Sequence, residues 1–290
     1  MKTPLVSVVC LCYNHARFVE EAIQSVLNQR YSNVQLIVID DHSTDKSIEA
    51  IDKFISGNLT IEFVPLPSNL GNCRAFNIGL EKAKGDFIID LAGDDVLMPD
   101  RIEMGVRNLE SLGKEVGVQF SDAELINENG AHLGYHSDRF RHDSIPQGDI
   151  YKEVLSRYFI NSPTMMMRRQ VLEELGGYDG ALAYEDFDFW VRSSRICKYS
   201  YIPEPLVRRR ILSTSLGQRQ YRTGSDQLRS TLTVCRKAFD LNKTEDEHAA
   251  LRKRIVYEMR RAMFLGEIKI GWEYWKLWGT ARNQERETRN

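Results

Sequence analysis

The sequence has no long uncharged apolar segment and few cysteines. No run in its 290 residues approaches the roughly 18 consecutive apolar residues of a membrane-spanning helix. Its first residues, MKTPLVSVVCLCYN, lack a small-residue cleavage site and turn polar at Tyr13-Asn14, which predicts a buried strand rather than a signal peptide. The five cysteines show no CxxC spacing, so we expect small buried groups in a cytosolic protein rather than a disulfide scaffold or a zinc site.

Several nucleotide-binding and hydrolytic motifs are absent as well. Neither GxxxxGK(S/T) nor GxGxxG occurs, which argues against a P-loop phosphotransferase and an ordinary nicotinamide dehydrogenase. Neither HExxH nor GxSxG occurs, so a zinc peptidase and a serine hydrolase have no support. The composition, 42% hydrophobic and 28% charged, is that of a globular chain with room for one large domain or two modest ones.

Net charge is small because two opposite charges cancel. The formal total is −2, but residues 1–205 hold 20 basic and 31 acidic residues, whereas residues 206–290 hold 19 basic and 10 acidic residues. The chain therefore has an acidic body and a basic C-terminal segment. Such a segment indicates an anionic partner, either a membrane or a nucleic acid.

Apolar runs alternate with helical patterns over roughly the first 120 residues. Buried β-branched runs predict strands at 6–11, 34–39, 61–64 and 87–91, and apolar residues at helical spacing lie between them. Strands about 25 residues apart with helices between them predict right-handed βαβ units and a mostly parallel sheet. Ligands of such sheets bind beyond the carboxyl ends of the strands.

Polar clusters follow three of these predicted strands, at Tyr13-Asn14, Asp40-Asp41 and Asp94-Asp95. Each cluster alone is explained about equally well as a helix cap, because Asx side chains accept hydrogen bonds from the first helical N–H groups. Three clusters at one sheet edge favour a site for a divalent cation, for ribose hydroxyls, or for both.

Five motifs span about residues 5–215, each weak alone but specific as an ordered set. They are Val6-Ser7-Val8-Val9 with Tyr13-Asn14; Val38-Ile39-Asp40-Asp41-His42-Ser43-Thr44-Asp45; Asn69-Leu70-Gly71 with Arg74 and Asn77-Ile78-Gly79; Gly85-Asp86-Phe87-Ile88 with Asp94-Asp95 and Met98-Pro99; and Gly176-Gly177-Tyr178-Asp179 with Glu185-Asp186-Phe187-Asp188-Phe189-Trp190. In this order they resemble the motifs of family-2 glycosyltransferases, the inverting nucleotide-sugar transferases of the GT-A fold. The resemblance implies an α/β fold: a Rossmann-like, mostly parallel sheet flanked by helices.

The resemblance also implies a donor site at the sheet edge. A carboxylate accepts hydrogen bonds from the N–H and hydroxyl groups of a nucleotide. The Asp94-Asp95 pair would serve the diphosphate with Mn²⁺ or Mg²⁺, Asp95 being the stronger candidate for direct coordination, because these cations bridge carboxylate and phosphate oxygens. A helix cap is the alternative for this pair. The implied nucleotide-sugar ligands are Tyr13, Asn14, Asp41, Arg74 and Asp94, and the implied metal ligands are Asp95 and Asp94.

On the acceptor side, the resemblance implies that Asp186 is the general base. Inverting transfer needs a carboxylate that takes the proton of the acceptor hydroxyl, and neighbouring aromatic residues can raise its pKa by desolvation. A helix N-terminus also favours acids in its first turn, and both explanations can hold together. Glu185, Asp188 and Trp190 are the implied acceptor-binding residues.

Two departures from the family pattern bear on the metal and the phosphates. The common D-x-D-D motif here begins Ala92-Gly93, without the first acid. The histidine of an R-x-H-x-x-S element is also missing from residues 207–215, where we expect Arg208 or Arg210 to bind phosphate through bidentate contacts. An alternative places these arginines on a solvated edge or against anionic lipid.

The C-terminal segment has helical periodicity. Tryptophans at 272, 275 and 278 follow one another at i, i+3 and i+6 among basic residues, a composition typical of a helix at an anionic membrane surface. The alternative is that these faces pack on the catalytic domain or on a second subunit, which would make a homo-oligomer. No recognition motif accompanies the charge, so we do not expect nucleic acid binding.

The resemblance implies a metal-dependent inverting glycosyltransferase that acts on a glycan or lipid-linked acceptor. The resemblance implies bacterial surface polysaccharide or lipopolysaccharide synthesis, in the cytoplasm or at the cytoplasmic face of the inner membrane. Predicted domains are a GT-A domain at 1–215, with nucleotide-sugar-binding half 1–115 and acceptor-binding half 116–215, and a basic helical extension at 216–290. Alternatives are a nucleotidyltransferase or a catalytically silent binder of nucleotide sugar or glycan.

Overall fold

The structure, a computed structural model, describes residues 3–57, 60–140, 144–212 and 222–288, with side chains up to residue 282. The predicted boundary at residue 215 lies outside the described residues. In chain order the elements are β1 Val6–Cys12, α1 Val19–Leu27, β2 Val34–Asp40, α2 Ser47–Ile55, β3 Glu62–Pro65, α3 Asn72–Lys82, β4 Phe87–Ala92, β5 Val96–Leu97, α4 Arg101–Ser111, β6 Val116–Ile126, β7 His132–Tyr135, α5 Tyr151–Ser156, β8 Met166–Arg168, α6 Arg169–Leu175, α7 Asp186–Ser193, β9 Lys198–Arg210, α8 Asp226–Leu241, α9 Glu245–Phe264 and α10 Ile268–Thr288.

The chain forms two compact units from interleaved segments. The sheet unit consists of Met1–Gly148, Ile160–Gly180 and Cys197–Leu212, and the helical unit consists of Asp149–Phe159, Ala181–Ile196 and Ser213–Asn290. All described strands belong to the sheet unit, while α5 and α7 to α10 belong to the helical unit.

The sheet unit confirms the predicted α/β fold. Its strands follow the order β3-β2-β1-β4-β8-β6-β9-β5, and β7 pairs with β6. The first four strands of this order are parallel, whereas β8 runs antiparallel to both β4 and β6. Every residue of β1 is buried, because helices cover both faces of a parallel sheet and leave no side of the strand in water.

The register of the parallel strands sets the position of the polar clusters. Cys12 pairs with Asp40, and Leu11 pairs with Ala92. The chain therefore leaves β1, β2 and β4 at nearly the same level. Residues after these three strands share one edge of the sheet, as the βαβ pattern predicts.

The helical unit confirms the predicted C-terminal helices. Leu228, Leu232 and Cys235 are buried on α8, and Leu251 and Ile255 are buried on α9. Helix α9 begins with a capping box, in which Thr244 accepts a hydrogen bond from Glu247 N and the Glu247 side chain accepts one from Thr244 N. None of the described helices is both long enough and apolar enough to cross a bilayer.

Candidate active site

Backbone hydrogen bonds join the ends of β1, β2 and β4. Asp41 N donates to Cys12 O at 2.9 Å, and Gly93 N donates to Leu11 O at 2.7 Å. A Cβ atom at Gly93 would lie 3.0 Å from Leu11 O and 3.1 Å from the Nδ1 atom of His15. The three polar clusters predicted from the sequence therefore meet, and Gly93 is the residue whose small size allows this approach.

Asp94 and Asp95 are both buried directly after β4, with exposures of 8% and 3%. Burial and, secondarily, the neighbouring charge of Asp94 raise the pKa of Asp95 well above its usual range. The Oδ1 atom of Asp95 accepts a hydrogen bond from Arg210 N at 2.8 Å. Two adjacent buried carboxylates carry a desolvation cost that a bound cation offsets.

The donor set at this edge fits a divalent cation that completes its shell with substrate. Within the described residues, no three His, Cys, Asp or Glu side chains are grouped as metal ligands. Mg²⁺ and Mn²⁺ are commonly held by one or two carboxylates together with substrate phosphates. Asp94 and Asp95 provide carboxylates of that kind.

Asp40 and Asp41 have different hydrogen-bonding roles at the end of β2. Asp40 closes a turn by accepting hydrogen bonds from Ser43 N at 2.8 Å and from the Ser43 hydroxyl. Asp41 accepts from Leu70 N at 2.7 Å and from Gly71 N at 2.9 Å, one bond on each carboxylate oxygen. Burial raises the pKa of Asp41 despite these two bonds. Asp41 thus fixes the entry to α3, and its contact with a nucleotide stays a prediction.

Tyr13 and Asn14 follow β1, and the first side chain is exposed whereas the second is held by hydrogen bonds. Tyr13 is 43% exposed, so its ring is open to a ligand. Asn14 has a positive φ of 60°, and its Oδ1 atom accepts from Thr44 N at 2.8 Å and Asp45 N at 3.2 Å. Asn14 therefore holds the loop after β2.

Arg74 and Asn77 connect α3 to the Gly176-Gly177-Tyr178 segment. The Nε atom of Arg74, an exposed residue, donates to Gly180 O at 2.8 Å. Asn77 bonds both the N–H and the carbonyl of Tyr178, at 2.9 and 2.8 Å. A Cβ at Gly177 would lie 2.5 Å from Asn77 Oδ1. Two motifs that the sequence separates by about 100 residues are thus bonded to each other, a pairing that sequence reasoning missed.

Arg210 holds the Asp94-Asp95 segment through hydrogen bonds from its backbone N–H and its guanidinium. It is 4% exposed, and its guanidinium donates to Asp94 O, to Asn127 O and Glu128 O, and to the Glu21 carboxylate at 2.6 Å. The guanidinium also lies 4.6 Å from the centre of the Phe18 ring. This burial excludes the solvated-edge alternative for Arg210. Its contacts make it a positioning residue, and a direct phosphate contact stays a prediction.

Arg208 is solvent-exposed, as the alternative interpretation expects, although its strand is paired with β5 and β6 on its two sides. Its side chain is 45% exposed, and its Nε atom donates to the Glu124 carboxylate at 2.9 Å. Residues 213–215 of the same motif region lie outside the described residues.

His15 is a site residue that the sequence patterns did not single out. Its N–H donates to the Ser47 hydroxyl at 2.9 Å, and its Nε2 atom lies 3.9 Å from Asp94 Oδ1. The motif region after residue 206 has no histidine, whereas the His15 imidazole lies beside Asp94 from the end of β1. Its position directly after Tyr13-Asn14 was the only available signal.

In the helical unit, Asp186 is the first residue of α7 and Glu185 is its N-cap. The Oδ1 atom of Asp186 is buried, and no described residue donates a hydrogen bond to it. A half-buried carboxylate with an unused acceptor oxygen suits a general base.

Asp188 and Trp190 are held inside the helical unit. Asp188 is 1% exposed and accepts from Arg192 Nε and Lys237 Nζ, each at 2.6 Å. Trp190 is 4% exposed, and its ring packs edge-on against Tyr158 with centroids 5.7 Å apart. Both residues stabilise the surroundings of Asp186, and their contact with an acceptor stays a prediction.

A sequence model of glycosyl transferase family 2 matches residues 7–176, more than half of the chain. The chain belongs to glycosyl transferase family 2. The predicted family is thereby confirmed.

Three relatives of this family-2 glycosyltransferase carry the name uncharacterized glycosyltransferase. One from Haemophilus influenzae is 31% identical over 214 residues, covering 72% of this chain and 66% of the relative. A second from the same organism is 45% identical over 103 residues, covering 36% and 41%. MJ1057 from Methanocaldococcus jannaschii is 29% identical over 214 residues, covering 73% and 72%. The chain thus spans just under two thirds of the first relative and about two fifths of the second.

Solved structures resemble the family-2 glycosyltransferase in fold. S. aureus TarS 1-349 in complex with UDP-GlcNAc gives a TM-score of 0.70 at 16% identity, covering 96% of this chain and 79% of TarS. Mannosyltransferase PcManGT from Pyrobaculum calidifontis, in complex with GDP-Man and Mn²⁺, gives 0.66 at 16% identity, covering 98% and 76%. At these identities the likeness shows a shared GT-A fold.

Proposed function

We propose that this protein transfers a sugar from a nucleotide diphosphate sugar to an acceptor hydroxyl with inversion at the sugar carbon. The observation that carries this proposal is the meeting of Asp41, Asp94 and Asp95 at the carboxyl ends of parallel strands. In open α/β sheets this edge is where nucleotides bind.

The donor is a nucleoside diphosphate sugar, as the named complexes of TarS with UDP-GlcNAc and of PcManGT with GDP-Man support. The exposed Tyr13 ring offers a stacking surface for the base, and Asp41, Asn14 and Arg74 are the proposed contacts of the nucleotide. Asp95, with Asp94, would hold Mn²⁺ or Mg²⁺, which stabilises the negative charge of a departing diphosphate. The Mn²⁺ in the PcManGT complex supports this choice of cation.

Asp186 is the proposed general base. Its Oδ1 atom needs a donor, and an acceptor hydroxyl supplies one. Transfer of that proton to the carboxylate makes the acceptor oxygen a nucleophile, and one displacement at the sugar carbon inverts its configuration. Arg192 and Lys237 neutralise Asp188, so the two acids of α7 do not repel each other as a pair of free charges.

The proposed acceptor is a glycan or a lipid-linked glycan of a bacterial surface polysaccharide or lipopolysaccharide. The resemblance to family-2 glycosyltransferases is the only support for this class of acceptor.

The test measures thermal stabilisation of the full chain by UDP and by GDP, each with and without Mn²⁺. We expect a rise in Tm that needs the nucleotide and the cation together, because ligands that bind only the native state stabilise it. Asp95→Asn should lose most of that rise. It should fold at least as stably as the wild type, because the amide keeps an oxygen for Arg210 N and removes a buried charge.

Asp86→Asn is the matched control, since Asp86 precedes β4 at the opposite end of the same strand and accepts a hydrogen bond from Leu5 N. It should keep the full ligand response. A ligand response that survives Asp95→Asn contradicts the proposed metal site. A ligand response without any turnover of nucleotide sugar favours a silent binder over an enzyme.

A further inference from the structure

Exposed apolar side chains are concentrated in a short part of the helical unit. Among the described residues, six of the twelve exposed large hydrophobic side chains fall between positions 257 and 275. Phe264 is 84% exposed and Ile268 is 65% exposed, whereas the buried cores of the same helices are made by other residues. The six are Tyr257, Met263, Phe264, Ile268, Trp272 and Trp275.

Helical spacing places most of these side chains on two faces. On α9, Tyr257 and Phe264 lie seven residues apart, and on α10, Ile268, Trp272 and Trp275 follow at i, i+4 and i+7. The Trp272 and Trp275 rings stack with centroids 4.6 Å apart while each remains half-exposed. Ile270 and Tyr274 of α10 are buried, so the helix has one face for the core and another that water covers.

Regular spacing of apolar residues on α9 does not by itself show which of them are buried. Leu251, Ile255, Met259 and Met263 follow one another at intervals of four, but Leu251 and Ile255 are fully buried and Met263 is 52% exposed. The exposed face begins at Tyr257, in the second half of α9, and continues along α10. We call the six exposed apolar residues, with their intervening basic residues, the aromatic face.

Basic residues surround the aromatic face. Residues 252–282 contain eight lysines and arginines and three acids. Lys253, Arg260 and Lys269 are exposed, and none of them has an ion-pair partner in the part of the chain that the structure describes. Glu258 and Arg254 are buried against each other, so one acid and one base of this count do not contribute to the surface charge.

An open groove of about 640 Å³ adjoins the aromatic face, with Ile268 and Lys269 common to both. Arg229, Thr233 and Arg236 line its other side from consecutive turns of α8. Glu267 and Glu273 also line the groove, and Glu273 is paired with Arg236 at 2.8 Å, so Arg229 and Lys269 supply the positive charge toward an incoming anion.

We propose that the aromatic face is a membrane-binding surface that takes the headgroup layer of an anionic bilayer. Tryptophan and phenylalanine enter the interface between headgroups and acyl chains, and flanking lysines and arginines are attracted by anionic lipid. A second copy of the same face would bring like charges together, so charge complementarity selects the lipid over self-association.

The surface acts independently of the proposed transfer reaction. Vesicle binding needs neither donor nor turnover, so loss of one function leaves the other measurable. The groove beside Lys269 would receive a lipid phosphate, and the half-exposed tryptophans report the insertion directly.

The test is co-sedimentation of the full chain with phosphatidylcholine vesicles that contain about one third phosphatidylglycerol, at low salt. We expect retention with a blue shift of tryptophan emission, and release at high salt as charges are screened. Phe264→Ser should lower the partition coefficient about tenfold or more. Lys269→Glu should lower it at least about fivefold.

Leu133→Ser and Lys114→Glu are the matched controls, since both residues are exposed in the sheet unit. They should bind vesicles like the wild type, and all four variants should keep the Tm response to nucleotide and Mn²⁺. Equal loss in variants and controls, or no retention on anionic vesicles, overturns the proposal. Sedimentation equilibrium that shows a dimer abolished by Phe264→Ser overturns it in favour of a second copy.

Discussion

Asp186 and Asp188 lie two residues apart on α7 and are held in different ways. Asp188 is buried between Arg192 and Lys237, while the Oδ1 atom of Asp186 accepts no hydrogen bond from any described residue. The first arrangement stabilises a charge, and the second leaves one carboxylate oxygen without a donor among the described residues, which a substrate hydroxyl would supply. The same substitution at the two positions should therefore affect different properties of the protein.

Asp186→Asn should lower kcat by about 10²–10⁴-fold, because the amide cannot take the acceptor proton. Donor affinity and Tm should stay near those of the wild type, since Asp186 carries no ion pair among the described residues. Steady-state transfer assays and thermal unfolding measure both effects. An Asp186→Asn enzyme with normal turnover contradicts the proposed base.

Asp188→Asn is the comparison for that variant. It should lower the free energy of unfolding by about 2–3 kcal/mol, because it leaves Arg192 and Lys237 facing a neutral amide in a largely buried site. Urea denaturation measures the loss. If this variant is as stable as the wild type, Asp188 is not the structural charge that its contacts indicate.

Gly93→Ala should lower the free energy of unfolding by disturbing the packing between the ends of β1 and β4. The new methyl group would press on Leu11 O and on the His15 ring, at a cost of about 1–3 kcal/mol for overpacking against backbone. Affinity for nucleotide with Mn²⁺ should fall as well, since Asp94 follows directly. Gly279→Ala, in the middle of α10 with no atom within 4 Å of the added carbon, should instead be neutral or stabilising by up to about 1 kcal/mol. Thermal unfolding and nucleotide titration separate the two.

At the scale of elements, the N-terminus of α9 is joined to the Arg195 side chain. Glu247 completes the capping box with Thr244 and accepts two hydrogen bonds from the Arg195 guanidinium, at 2.9 and 2.5 Å. Burial alone would raise the pKa of Glu247, but the bonds from Arg195, Lys243 and Thr244 outweigh it and lower the pKa from its ordinary 4.5. The helix start is thus fixed by an ionised carboxylate.

This arrangement predicts acid sensitivity of the helical unit. Because the unfolded chain binds a proton at higher pH than the folded one, the contribution of Glu247 is present above about pH 4.5 and is lost as the pH falls through the folded value. Glu247→Gln should be less stable by about 1–3 kcal/mol at neutral pH, and the difference should shrink on acidification. Urea unfolding from neutral to acidic pH measures it.

Asp246→Asn provides the control, because the side chain of Asp246 is 81% exposed and lies 3.8 Å from Lys152. Its stability should follow the wild type at every pH. A Glu247→Gln curve parallel to the wild type over the whole range contradicts the lowered pKa.

The strands that the sequence predicted best are those buried on both faces. β1, β2 and β4 read as continuous apolar runs because helices cover both sides of the sheet there. β9 left no comparable pattern, since Pro203 and Pro205 interrupt it, arginines end it, and its pairing with β6 changes register.

Across the whole molecule, the sequence predicted which residues meet at the sheet edge but not which residues support them. The strand ends placed Asp41, Asp94 and Asp95 correctly at one edge, because register follows from the βαβ pattern. The bond from Arg210 to Glu21 joins residues 189 positions apart, and a single long-range pair produces no periodicity. The interleaving of two units was likewise invisible in local patterns.

Interleaving gives a prediction for the fragment 1–215. It retains 149–159 and 181–196 of the helical unit and lacks α8 to α10. The Tyr151 hydroxyl loses Asn242, Asp188 loses Lys237, and Phe187 loses the guanidinium of Arg254. We expect a fragment that aggregates or binds a hydrophobic dye, with a less cooperative unfolding transition than the full chain. A fragment that is monodisperse on gel filtration and unfolds thermally with the midpoint of the full chain contradicts this expectation.

A chain synthesised from its amino end delivers Arg210 last among the residues around Asp94 and Asp95. The carbonyl of Glu128, one of its acceptors, precedes it by 82 positions, and the carboxylate of Glu21 leaves the ribosome far earlier. Until β9 is made, the end of β4 lacks both the N–H that bonds Asp95 and the guanidinium that bonds the Asp94 carbonyl. The nascent protein can pair its first four strands early, but the sheet edge that carries Asp94 and Asp95 is completed only after residue 210 has been translated.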